Sequence, residues 1–126
     1  MNIDEFVRDY WLSIDALDMD KFLAFFTPDC TMGFGSYPLV HGLEGVRRMI
    51  APVFAGVAGM RHQRLGLWIH EDVTLARGEV TYMHHDKSTV TIPFMTYFQF
   101  ADRHIQWTHV YIDIAPLYAA TSVASV

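Results

Sequence analysis

Apolar residues in this chain keep a helical period first and a strand period later, and that order narrows the folds open to it. Ile3, Phe6, Val7, Tyr10, Trp11, Ile14 and Leu17 recur at steps of three and four, which predicts an amphipathic helix. Asn2 followed by Glu5 reads as its capping box. A second helix is expected to start near Asp18 or Asp20, with Asp18 as N-cap, to bury Phe22, Phe25 and Phe26, and to stop at Thr27-Pro28. A short strand over 31–34 follows, then a loop from Gly33 to Gly42. A third helix is expected from about Leu43 to Val57, with Pro52 as a kink or break.

From there the period becomes two. Leu65, Leu67 and Ile69 alternate, as do Val80, Tyr82 and His84, and then Val90, Ile92, Phe94, Phe98 and Phe100. The last run, Ile105 to Ile114, is apolar on both faces, as in a strand covered on both sides. Glu71-Asp72, His85-Asp86-Lys87 and Ala101-Asp102-Arg103 separate the runs as polar turns. Helices grouped first and strands later point to an α+β fold, three helices on one face of a curved antiparallel sheet. In the last strand, Ile105, Trp107 and Tyr111 are assigned to one face and Val110, Ile112 and Ile114 to the other. Only one face can meet the helices, so a homodimer through the outer sheet face is expected.

Composition removes several functions. The 126 residues suit one domain spanning 1–126. Apolar residues make up 52% and aromatics 14%, more aromatic material than a small core needs. The surplus points to a lined cavity or a subunit interface. A net charge of −5 with nine scattered Lys and Arg does not supply the basic stripe that nucleic acid requires. No apolar run approaches the roughly 20 residues of a membrane span. The acidic start lacks the features of a signal peptide, and Cys30 is the only cysteine. A cytoplasmic location is therefore expected. Neighbouring His84 and His85 face opposite sides of a strand and cannot chelate one metal. No glycine-rich phosphate loop is present, so neither metal nor cofactor is expected.

Four segments carry a family resemblance. They are Leu17-Asp18-Met19-Asp20, Phe26-Thr27-Pro28-Asp29-Cys30, Gly42-Leu43-Glu44-Gly45, and Val110 through Leu117. In this order and spacing, over nearly the whole chain, the sequence resembles the nuclear transport factor 2-like (SnoaL-like) superfamily. The resemblance implies a cone-shaped α+β fold with an apolar pocket. It does not imply one activity, because the fold hosts isomerases, dehydratases, cyclases, epoxide hydrolases and non-catalytic binders.

Within that superfamily, Tyr10 falls where ketosteroid isomerases carry an oxyanion-stabilising tyrosine. The places of the isomerase's two carboxylic acids hold Phe34 and Thr96, which leaves that reaction without a base. The site pattern is more similar to scytalone dehydratase and hexachlorocyclohexane dehydrochlorinase. There an Asp near the end of helix one and a His opening the long strand after helix three match Asp15 and His62. A carboxylate on one imidazole nitrogen fixes the tautomer and leaves the other as a general base. The resemblance thus implies a cofactor-independent lyase acting on a small hydrophobic molecule, cyclic or open-chain. His84 or Tyr10 would be the second proton donor, with Trp11, Phe34, Tyr82, Phe94, Thr96 and Phe98 lining the pocket. Asp113 aligns with an acid that some SnoaL-like cyclases carry, against the simpler reading of a strand-end residue in solvent. Two alternatives stay open: a binding or accessory domain without turnover, and a SnoaL-like isomerase or cyclase.

Overall fold

The computed structural model describes residues 1–124, the last five of these in backbone only. Helix α1 spans Ile3–Asp15, with the Asn2 side chain accepting from the Glu5 N–H as its N-cap. Leu17 takes a positive φ of 54° and turns the chain into α2, Met19–Leu23, which Asp18 caps through the Lys21 N–H. Strands β1 (Phe26–Phe34) and β2 (Val40–His41) lead to α3, Gly42–Ala55, with Pro52 inside it. Four long strands follow: β3 (Gly59–His70), β4 (Val73–Met83), β5 (Thr89–Ala101) and β6 (His104–Ile112). A closing helix α4, Ala115–Ala124, was not expected from the periodicity.

The six strands form one curved sheet in the order β2-β1-β6-β5-β4-β3. The fold is α+β as expected. All neighbours pair antiparallel except β1 and β6, which run parallel, so the sheet is mixed. The expected turns form: Glu71 has a positive φ between β3 and β4, and Asp102 and Arg103 both do between β5 and β6. Two successive positive φ values match the twist of a tight hairpin.

Two local expectations need correction. The second helix ends at Leu23, and Phe26 opens β1, which continues through Thr27-Pro28. Proline is tolerated there because the ladder to β6 jumps from Phe26–Ile105 to Thr31–Trp107, so Pro28 lies in the interrupted stretch. The second concerns the faces of β6. Opposite Phe100 and Gln99 stand Ile105 and Trp107, and the extra residue between them reverses the alternation. Ile105 therefore joins Thr108, Val110 and Ile112 on the inner face, and Trp107, His109 and Tyr111 share the outer one.

Helix α1 lies against β3 and α3 against β1. Tyr10 stands at the centre of the packing, with the rings of Phe22, Phe25, Phe26 and Phe98 at centroid distances of 5.6 to 5.9 Å. Phe98, expected to line the pocket, is fully buried in this cluster. Replacing Phe98 by Ala should cost about 3–5 kcal/mol in urea unfolding. Replacing the exposed Leu12 by Ala should stay within about 0.5 kcal/mol. Equal losses at the two positions would contradict this assignment of the core.

Candidate active site

Asp15 is the last residue of α1 and His62 the fourth of β3, 47 positions apart in sequence. They meet because α1 packs across the start of β3. One carboxylate oxygen, Oδ1, lies 2.6 Å from His62 Nδ1, and the other, Oδ2, accepts the His62 backbone N–H at 3.0 Å. A carboxylate only accepts, so Nδ1 carries the hydrogen and Nε2 is the nitrogen left to meet a bound molecule. The second bond shows the backbone orientation as well: this N–H points away from β4, on the outer edge of the sheet. Both side chains are largely shielded, at 16% exposure for Asp15 and 10% for His62. The His62 ring is held flat against Trp11 (5.3 Å, 20°) and edge-on to Phe94 (5.4 Å, 78°).

His62 lines a central cavity of about 40 Å3 between the helices and the inner sheet face. Of the residues expected around a pocket, Tyr10, Trp11, Phe34, Tyr82, Phe94 and Thr96 are in its wall. Sequence reasoning missed the contributions of Met32, Ile50, Val53, Phe54 and Met60. Their apolar character signals burial but does not distinguish a cavity wall from solid core. Asp15 lies outside the wall, in a groove of about 200 Å3 that it shares with Arg8, Arg64 and the opposite side of His62. The dyad thus crosses the cavity wall, its acid outside and its imidazole reaching inside.

His84 is placed elsewhere. β4 ends at Met83, and the following turn carries the imidazole to Leu117 of α4, whose carbonyl lies 2.8 Å from Nε2. Its Nδ1 faces the Ser88 carbonyl at 3.3 Å. His84 does not line the cavity, and its position is that of a buried histidine satisfied by its own turn and α4. Asp113 accepts the Ala115 N–H at the start of α4. Cys30 is fully buried, and burial pushes its thiol pKa up. Among the described residues no group of three His, Cys, Asp or Glu side chains is placed to hold a metal ion.

Burial pushes the phenol pKa values of Tyr10 and Tyr82 well above the ordinary 10.0, with smaller contributions from Cys30 and Tyr118 respectively. Both therefore stay hydrogen-bond donors throughout the neutral range. The linkage is one-sided. Below pH 10 the phenols are neutral in folded and unfolded chains alike, whereas above it only the unfolded chain ionises them. Stability should therefore fall as pH rises past about 10, and Tyr10→Phe should lessen the loss. Ultraviolet titration of the six tyrosines should leave two un-ionised until the chain unfolds; six titrating together in the folded protein would contradict the burial.

The profile of a SnoaL-like domain matches residues 7–108. An NTF2-like protein of unknown function from Burkholderia pseudomallei superposes with a TM-score of 0.81 at 17% identity, covering 94% of this chain and 96% of that one. A protein described as a SnoaL-like polyketide cyclase, from Jannaschia sp. CCS1, gives 0.79 at 19% identity over 92% and 88%. TerC, crystallised with polyporic acid, gives 0.77 at 16% identity over 91% and 94%. No curated protein matches the sequence.

Proposed function

The chain belongs to the SnoaL-like domain family, and on that premise we propose that it is a cofactor-independent lyase of dehydratase or dehydrohalogenase type. The observation that carries this reading is the 2.6 Å contact of Asp15 with His62 Nδ1 beside an apolar cavity. Nε2 takes a proton from a substrate carbon. The C–H electron pair becomes the new double bond, and the leaving group departs from the adjacent carbon with its own pair. Where the leaving group is hydroxide, the imidazolium returns the proton to it and water is released. The aspartate steadies the imidazolium between these events. The phenol of Tyr10 or Tyr82 donates a hydrogen bond to the oxygen that gathers charge. The substrate is a small hydrophobic molecule, in keeping with the neighbour crystallised with polyporic acid.

Cyclic β-hydroxy ketones offer a direct assay through the absorbance of the enone formed. His62→Ala should lower kcat by about 10²- to 10⁴-fold, and Asp15→Asn by about tenfold or more. Because the two act as a unit, the double variant should lose little beyond His62→Ala alone. Additive losses, or turnover that survives His62→Ala, would remove the dyad from the mechanism.

The small free volume of the cavity favours a second reading, a module that binds its ligand without turnover. The likeness to the Jannaschia protein favours a third, in which the same proton abstraction leads to ring closure. Binding that persists in His62→Ala, with no product from the native chain, would support the module.

The partner in this reading is a second copy of the chain, docked through the outer sheet face. That face carries Trp68 and Tyr111, more than half exposed, and a stacked run in which His109 and Tyr111 lie 4.1 Å apart at 6°. Light scattering should give twice the 14.5 kDa chain mass, reduced to the monomer by Tyr111→Glu. A monomer at micromolar concentration in the native chain would contradict the interface.

A further inference from the structure

A cavity of about 40 Å3 holds a few water molecules at most, whereas a cavity of about 150 Å3 is needed to take up benzene. A ring cannot occupy the space beside His62 unless that space is continuous with another. The neighbouring void is a groove of about 500 Å3 between α3, the 35–39 loop and the start of α4. Val53 lines both.

Two further pairs bridge the same boundary. Phe34 of the cavity stacks on Tyr37 of the groove at 6.4 Å and 13°. Tyr82 of the cavity neighbours Tyr118 of the groove, whose own phenol is raised by burial and then by the adjacent Tyr37. Pro52 supplies no N–H to the α3 ladder, so the turn that carries Val53 is less firmly tied. The groove beside Asp15 is more polar, with Arg8, Arg64 and Asp15 in its wall, whereas Arg48, which reaches Glu44, is the one charged residue among the described residues of this groove.

We propose that the cavity and this groove form one chamber for an elongated aromatic ligand, its body in the groove, its leading edge reaching past Val53 toward His62, and an oxygen-bearing far end between Tyr37 and Tyr118. Apolar walls at Pro38, Met49 and Pro52 suit a flat hydrocarbon body. The paired phenols can both donate to and accept from a hydroxyl or carbonyl oxygen. The ligand class rests on the reading of His62 as the base, while the continuity of the chamber does not.

4-Phenylphenol serves as the probe, with biphenyl as its oxygen-free counterpart. Binding of 4-phenylphenol should change the intrinsic fluorescence saturably, because Trp11 is in the cavity wall, and the change should vanish in Trp11→Phe. Val53→Phe, which narrows the neck, should raise Kd about tenfold. Tyr37→Phe combined with Tyr118→Phe should do likewise for 4-phenylphenol and leave biphenyl within a factor of about two. The paired tyrosines are about half exposed, so this variant carries the test if Val53→Phe fails to fold by circular dichroism. The proposal is overturned if the native chain shows no saturable change, if the response survives in Trp11→Phe, or if neck and tyrosine variants bind as the native chain does. Turnover that persists in His62→Ala while Val53→Phe blocks it would sink the base and leave the chamber standing. The reverse pattern would sink the chamber alone.

Discussion

A carboxylate at the C-terminal end of a helix faces the negative end of the helix dipole, and Asp15 closes α1 with no basic residue in its last turn. Such a placement is unfavourable by itself. It is offset by two donors of one residue, the backbone N–H and the ring Nδ1 of His62. The docking of α1 on β3, the tautomer of His62 and the flat packing of its ring on Trp11 all follow from that pair of bonds. A locally unfavourable placement is here offset by tertiary hydrogen bonds.

The remainder of the site depends on which side of the sheet each residue meets. In β5 the alternation is uninterrupted, so Ile92, Phe94, Thr96 and Phe98 all face inward. In β6 the extra residue before Trp107 resets it and delivers Ile105 to the core. Without that reset, Ile105 would fall on the outer face with Trp107, His109 and Tyr111 and be lost to the core.

Much of this was legible in the sequence. The α1 stripe, its Asn2 cap, the Asp18 cap and the polar hairpin turns each rest on short-range chemistry, and each formed. The meeting of Asp15 with His62 is long-range and was legible only through resemblance, since nothing local links residues 47 apart. Errors arose where one pattern served two structures. Phe22, Phe25 and Phe26 fit a helix equally well, but Phe26 pairs with β6 and opens a strand. His84 continued the period of Val80 and Tyr82, yet the strand ended one residue earlier and the turn chose its direction. Phe98 shares the inward parity of Phe94, and parity does not tell how deep a side chain lies. Bulges and parallel pairing leave no signature in composition, so the face of Ile105 and the place of β1 beside β6 were hidden.

β3 is the last strand of the sheet, so one row of its backbone groups has no neighbouring strand. Open edges of this kind recruit other chains, and proteins usually blunt them with charge or cover. The Asp15 carboxylate takes the outward N–H of His62 and so blunts the edge at that point. The acid at residue 15 is thereby a cap on the sheet as well as the partner of an imidazole, and its loss would open this stretch of the edge.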